Sequence, residues 1–274
     1  MNEAELARAA ELIAGADALL VCAGAGMGVD SGLPDFRGDE GFWRAYPPYA
    51  RLGISFVELA DPEHFASDPE LAWGFYGHRL GLYRKTVPHH GFQLLREWGA
   101  RTTGGTWVFT SNVDGQFQRA GFPADRVAEV HGSIHHLQCL DRCRDEIWPA
   151  GDVDVEVDEA TMRARHPLPS CPECGGLARP NILMFGDYDW LGQRSQQQLD
   201  RLQEWRRAHR AAVVLELGAG TAVPTVRRQA ELASAGTGAL IRINPREPEV
   251  RHGRGIELPL PALDALSRIA ELLR

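Results

Sequence analysis

Ala18-Leu-Leu-Val-Cys-Ala-Gly-Ala-Gly26, continuing as Met27-Gly-Val-Asp-Ser-Gly-Leu-Pro-Asp-Phe-Arg-Gly38, is the stretch that decides the fold. Its first six residues are apolar without alternation, the pattern of a strand buried on both faces of a parallel sheet. The run ends in glycines. Gly24, Gly26 and Gly28 give the spacing of a dinucleotide turn, in which missing Cβ atoms let backbone N–H groups approach a pyrophosphate. Glycines alone suit tight helix–sheet packing equally well. The residues after the turn are less generic, because Asp35, Phe36 and Arg37 set an acid, an aromatic and a base on one loop.

Outward from this unit the same organisation repeats. Thr106-Trp-Val-Phe-Thr110 reads as a second strand and runs into Ser111-Asn-Val-Asp-Gly115, and Arg126-Val-Ala-Glu-Val130 delivers His131-Gly-Ser133. Residues 181–185, 211–218 and 239–244 read as further strands, and 70–85, 90–98, 193–208 and the closing segment near 260–273 as helices. Strands alternating with helices predict an α/β fold, a Rossmann-like parallel sheet with helices on both faces. Polar residues collect at strand C-terminal ends, where ligands bind in open α/β sheets. The prolines and glycines of 41–53 predict irregular loop. The expected division is a discontinuous Rossmann-like domain of 1–38, 86–133 and 181–274, a helical and loop insertion of 39–85, and a zinc-binding module of 134–180.

The bulk numbers narrow the class. With 274 residues the chain can bury a sizeable core, and 29 basic against 37 acidic residues give a formal charge of −8. That balance argues against nucleic acid as a partner, which needs a concentrated basic surface. No apolar run reaches membrane-spanning length, and the start, Met1-Asn-Glu-Ala-Glu5, is acidic and then amphipathic rather than signal-like. A cytoplasmic enzyme is expected, with oligomeric state left open.

The cysteines fall in two pairs, Cys139/Cys143 and Cys171/Cys174, with Cys22 alone in the first strand. Two knuckles, each carrying two thiolates, are what tetrahedral zinc requires. Four protein sulfurs leave no open position for water, so the metal is expected to be structural. Cys22 reads as a small core residue. His131 has the side chain whose ordinary pKa suits proton transfer near pH 7, and Asn112 and Asp114 offer an amide and a carboxylate suited to a carboxamide or a sugar hydroxyl. Each of these alone is as easily a cap or a turn.

Taken in order, Gly-Ala-Gly at 24–26, Ser-Gly-Leu-Pro-Asp-Phe-Arg at 31–37, Asn-Val-Asp at 112–114, His-Gly-Ser at 131–133, the cysteine pairs, Arg179-Pro-Asn-Ile-Leu-Met-Phe-Gly-Asp187, the glycines at 218–220 and Ile243-Asn244 resemble the sirtuin family over most of the chain. The resemblance implies an NAD-dependent protein lysine deacylase that consumes NAD, binds structural Zn2+ and acts on an acylated-lysine protein or peptide. It implies that His131 is the general base and Asn112 a second catalytic residue. It assigns Gly24, Ala25, Gly26, Asp35, Phe36, Arg37, Ser111, Asn112, Val113, Asp114, Gly218, Gly220 and Asn244 to the cofactor. Phe185, Gly186 and Asp187 match the segment that pairs with the substrate peptide as an added strand. In the implied reaction the acyl oxygen attacks the ribose carbon as nicotinamide leaves, and His131 then relays a ribose hydroxyl proton so that the acyl group passes to ADP-ribose.

Several positions depart from the pattern, with Gly28 and Ser111 in place of a hydroxyl residue and Gln, Gln116-Phe117 in place of Leu-His, and Gly218-Ala-Gly220 in place of Gly-Thr-Ser. Thr221 is a candidate for the missing hydroxyl. Tyr76 and Arg79 resemble the Tyr-x-x-Arg pair of the desuccinylase and demalonylase class, where Arg suits bidentate carboxylate recognition. Read without the resemblance, the same residues suit an exposed amphipathic helix. ADP-ribosyl transfer to protein and a non-catalytic NAD or ADP-ribose sensor are the rival readings of the same site.

Overall fold

A computed structural model of the protein describes residues 3–35 and 38–274. Its strands, in chain order, are β1 (Leu19–Ala23), β2 (Thr106–Thr110), β3 (Val127–Glu129), β4 (Gly132–Cys139), β5 (Ile147–Pro149), β6 (Val157–Asp158), β7 (Arg163–Ala164), β8 (Ala178–Ile182), β9 (Val213–Leu217), β10 (Leu240–Ile243) and β11 (Ile256–Leu258). Six form one sheet in the order β11-β10-β9-β1-β2-β3, with every neighbouring pair parallel. The chain winds from β1 to β2 and β3 on one side, then returns to β9, β10 and β11 on the other. The order reverses at β1/β9, the point where such sheets open a crevice.

β1 shows why an unbroken apolar run was required. Leu19, Val21 and Ala23 pack with helices Glu3–Ala14, His90–Ala100 and Ala262–Leu272, whereas Leu20 and Cys22 face Leu202, Trp205, Val226 and Ala230 across the sheet. Side chains alternate faces along a strand, so both faces must be apolar when both carry helices. Cys22 is fully buried as expected, and burial holds its thiol far above its ordinary pKa. Across β9 and β10, register partners Glu216 and Arg242 form a fully buried two-pronged ion pair at 2.8 and 2.7 Å. Each charge is tolerable there because the other neutralises it.

A smaller sheet, β5-β4-β8, is antiparallel and stands beside an aromatic core of Phe42, Tyr46, Tyr49, Phe65, Trp73, Phe75 and Tyr76. Here the sequence misled in two places. Residues 41–53 are helical, in Gly38–Ala45 and Pro47–Leu52. Pro47 and Pro48 open the second helix, where their missing N–H groups cost nothing, and Gly53 closes it at φ +67°. Phe42, Tyr46 and Tyr49 bury one face, and Phe42 stacks on Tyr49 at 5.8 Å. The strand expected at 181–185 begins earlier and stops at Ile182, because Leu183 N–H turns to the His131 carbonyl at 2.9 Å and Phe185 N–H to that of Ala60 at 3.0 Å. No helix among the described residues is long and apolar enough to cross a membrane.

The four paired cysteines converge, with all their sulfurs within 4.8 Å of one another. Cys139 and Cys174 lie 3.7 Å apart and Cys143 and Cys171 3.6 Å apart. These distances are too long for disulfides. They fit tetrahedral zinc, where metal–sulfur bonds of about 2.3 Å put the sulfurs about 3.8 Å apart. The donor set therefore suits structural Zn2+ held by Cys139, Cys143, Cys171 and Cys174, bracing the ends of β4 and the start of β8. Metal analysis of the purified chain is expected to give about one zinc per molecule, and Cys171→Ala is expected to lose the metal and melt at lower temperature. A metal-free wild type that melts like the untreated protein would contradict this.

Candidate active site

The site begins where β1 ends. Gly24 N–H donates to Leu217 O and Gly26 N–H to Gly218 O, both at 3.0 Å, so the turns leaving β1 and β9 lie against each other. A Cβ on Gly26 would stand 2.7 Å from the Gly218 Cα, and Gly218 itself sits at φ +60°. Backbone-to-backbone packing is thus the first reason for these glycines. The second arises from it, since the crevice edge is left with main chain, the exposed Ala25 and the half-buried Gly220. That surface fits the close approach a pyrophosphate needs. The segment Ala25–Ser31 is a 3-10 helix closed by Gly32 at φ +86°. Asp35 is half-buried beyond it, and Phe36 and Arg37 lie outside the described residues.

The turn after β2 brings the next group to the same edge. Ser111 N–H reaches the Ala23 carbonyl at 3.3 Å, and the Asn112 side-chain amide donates to the Gly24 carbonyl at 3.0 Å. Asn112 therefore ties the two loops together. Val113 is buried toward the aromatic core, its carbonyl accepting from Ile134 N–H at 3.0 Å. Asp114 is buried and accepts from Gln116 N–H at 2.9 Å. Burial pushes its carboxyl up to about 6, against the pull of that hydrogen bond. The Asp114 carbonyl is held by His135 Nε2 at 2.9 Å, a contact that the sequence motifs do not signal.

His131 comes two residues after β3, at the junction with the smaller sheet. Its carbonyl anchors Leu183, while Gly132 turns the chain at φ +78°. A Cβ on Gly132 would come within 2.0 Å of the Asn181 carbonyl oxygen, so the residue after the histidine must be glycine. Among the described residues the His131 ring has no hydrogen-bond partner, and burial lowers its pKa below the ordinary histidine value. The ring is therefore neutral at pH 7 and able to accept a proton.

The segment after Leu183 is exposed on its apolar side. Leu183 and Phe185 are partly exposed and Tyr188 is 96% exposed, with the Phe185 ring 6.2 Å from that of Phe56. Asp187 behaves differently. Its carboxylate is wholly buried, pairs with Arg179 and accepts from Met184 N–H at 3.3 Å, closing the turn in which Gly186 takes φ +67°. Asp187 thus shapes the segment from within and presents no side chain to a peptide.

Tyr76 and Arg79 lie on the helix Pro69–Lys85, and the exposed-helix alternative is excluded, since they are 1% and 6% exposed. The Arg79 guanidinium sits over Phe75, Tyr76 and Tyr83 at 5.0, 5.5 and 5.4 Å, and its Nε donates to the Tyr83 hydroxyl at 3.0 Å. Burial works against its charge, and the oxygens of Tyr83, Tyr76 and Tyr46 more than offset it. Tyr83, four residues after Arg79, is the partner that helical spacing could have supplied. A cavity of about 340 Å3 is lined by Leu33, Pro34, Tyr46, His78 and Leu82 among others, and His78 Nδ1 lies 3.2 Å from the Tyr46 hydroxyl. Tyr76 and Arg79 are not among its lining residues.

At the far end of the crevice, Asn244 is wholly buried, and its amide donates to the Ala219 carbonyl at 2.7 Å. It braces the 218–220 turn instead of offering its own amide to a ligand. The Thr221 hydroxyl donates to Glu247 at 2.6 Å, so it does not stand in for the hydroxyl missing at Gly220. The distant pairing with Glu247 left no trace in the local sequence.

Comparison with known proteins places this geometry. The Sir2 family profile matches residues 24–224. An NAD-dependent protein deacylase of Pseudomonas aeruginosa is 32% identical over 265 residues, 96% of each chain, and one of Aquifex aeolicus is 28% identical over 256 residues, 93% of this chain and 95% of its own. Among solved structures, a Sir2 homologue–NAD complex superposes with a TM-score of 0.74 at 26% identity, covering 99% of this chain and 94% of that one. A family profile spanning both strand-end turns, His131 and the four cysteines leaves one conclusion: the chain belongs to the Sir2 family.

Proposed function

We infer that this chain is an NAD-dependent protein lysine deacylase with His131 as general base and a preference for acidic acyl groups. The observation that carries the base assignment is a half-buried, neutral His131 ring, without a protein partner among the described residues, two residues past β3 at the same C-terminal sheet edge from which the glycine turns after β1 and β9 leave. Sir2 membership and the full-length deacylase relatives support the reaction class. NAD, when bound, supplies the ribose carbon that accepts the acyl oxygen and the hydroxyl whose proton must be moved. Gly24, Gly26 and Gly218, whose N–H groups are engaged within the fold, let its phosphates approach by lacking Cβ atoms, and Ala25 and Gly220 border them with main chain, the turns being braced by Asn112 and Asn244. Asp35 and Ser111 are assigned to the same cofactor in this reading, as are Phe36 and Arg37, which lie outside the described residues. Asp114 supplies a carboxylate to orient it, with Val113 anchoring the loop.

Leu183 and Phe185, whose N–H groups are engaged within the fold, offer carbonyls and apolar surface, and Gly186 its backbone, to an acylated-lysine peptide running alongside as an added strand, and the buried Arg179–Asp187 pair fixes their conformation. The acidic-acyl preference rests on the Tyr76–Arg79 motif; the Arg79 guanidinium is charged but buried, held by Tyr83 and outside both cavity linings, so pairing with an acyl carboxylate requires this cluster to open as the substrate enters.

Each assignment has a distinct readout. His131→Ala is expected to lower peptide deacylation by about 100- to 10,000-fold while the protein still binds NAD; near-wild-type turnover would remove His131 from its role. Arg79→Met is expected to weaken removal of succinyl or malonyl groups at least tenfold more than removal of acetyl, and equal losses on all three peptides would contradict the acidic preference. Asp114 must be ionised to orient a ribose or carboxamide, so kcat/KM for NAD should fall as pH drops through about 6, and Asp114→Asn should lack that limb. The stability effect has the opposite sign. With a folded-state pKa above the unfolded one, the favourable contribution of Asp114 is present at low pH and is lost as pH rises through about 6. An acid limb unchanged in Asp114→Asn would assign it to another group.

A further inference from the structure

A second cavity, of about 560 Å3, lies beyond the edge strand β3, and neither the glycine turns nor His131 lines it. Its walls are residues 115–118, the loop before β3, the start of β4 and the helix Gln193–Ala208. Arg194 and Arg201 are seven residues apart on that helix and so share a face. Arg194 Nη2 bonds the buried carboxylate of Glu129 at 2.6 Å, but its Nη1 is shut off from solvent with no acceptor among the described residues. The Nδ1 of His136, on β4, is in the same condition. A buried donor without a partner has lost its water and gained nothing in return, which is rare in folded proteins. Both residues, Arg194 and His136, line this one cavity, with the unpartnered nitrogens just behind its wall.

We propose that this cavity binds a small anionic metabolite, its carboxylate or phosphate seated between Arg194, Arg201 and His136, at a site separate from the crevice of β1 and β9. The space exceeds a bare oxyanion, and the amides of Gln118 and Gln197 offer hydrogen bonds to the rest of such a molecule. Of the acids in the lining, Glu129 is engaged by Arg194, and Asp125 is exposed at the rim, where solvent screens it. Burial, then Arg194, then His135 push the His136 pKa down to about 4, so the ring is neutral at pH 7 and brings no competing charge to the cavity wall. The site also adjoins the strand end that carries His131, since Glu129 and Ser133 line it and flank that residue, and His135 in its wall holds the Asp114 carbonyl.

The test is calorimetric titration of the zinc-loaded full chain with inorganic phosphate and, separately, with citrate at constant ionic strength, with and without saturating ADP-ribose. Saturable one-to-one binding that persists with ADP-ribose present is expected for at least one anion, and which one binds identifies phosphate or carboxylate as the preferred head group. Arg201→Gln, an exposed change outside the crevice of β1 and β9, should weaken it about tenfold, as loss of one charged contact does, and adding His136→Gln should weaken it further without shifting the melting temperature of Arg201→Gln. The proposal is overturned if neither anion saturates at millimolar concentration, if ADP-ribose abolishes the binding, or if both variants bind like the wild type.

Discussion

The contact between Gly26 and Gly218 is the constraint on which the other features of the site depend. A methyl group on either residue would collide with the other's backbone, at 2.7 Å in one direction and 2.4 Å in the other. Only because both lack a Cβ can the turns after β1 and β9 meet and carry hydrogen bonds between them. Their meeting fixes the crevice at the reversal of strand order, and it sets the Gly24 carbonyl where Asn112 can hold it. The loop carrying Asp114 is thereby located relative to the cofactor turn. The packing reading of the glycines is what the contact shows, and the cofactor access proposed for them needs the same missing Cβ atoms, so the two readings do not compete.

A second backbone contact joins the two sheets. Gly132 must pass within reach of the Asn181 carbonyl, and Leu183 then hydrogen-bonds the His131 carbonyl. The histidine proposed as base and the segment proposed to meet the peptide are thus held by the same few main-chain bonds. The four-cysteine cluster, suited to zinc, lies at the other end of β4 and β8, where a bound metal would tie those strands together. A structural metal can in this way support a catalytic geometry it never touches.

What the sequence disclosed and what it hid have physical explanations. β1, the helix at 193–208 and the cysteine set were legible because apolar continuity and ligand spacing are local properties. The helices within 38–52 were not, since proline and glycine were taken as loop residues where they serve as helix ends. The short helix Thr225–Ser234 buries Val226, Ala230 and Ser234, a face with a single large apolar residue, and the edge strand Ile256–Leu258 is only three residues long, so neither stood out. At the site, residue types were readable but their directions were not. Asn244 and Asp187 sit in the motifs that led to them, yet both point inward, to Ala219 and Arg179, and act by shaping backbone. Arg79 was readable as a carboxylate-binding candidate, whereas its enclosure by Tyr83 and its neighbours depends on tertiary packing. Arg194 and His136 meet at one cavity across 58 positions of sequence, which no motif spans.

The most direct measurement of the central claim is the product balance of a single incubation with NAD and an acylated-lysine peptide, read by mass spectrometry. The account predicts equal amounts of nicotinamide, free lysine peptide and acyl-ADP-ribose, because the acyl group leaves on the ribose. Nicotinamide formed with the peptide still acylated and ADP-ribose attached to protein would contradict it, as would deacylation that consumes no NAD.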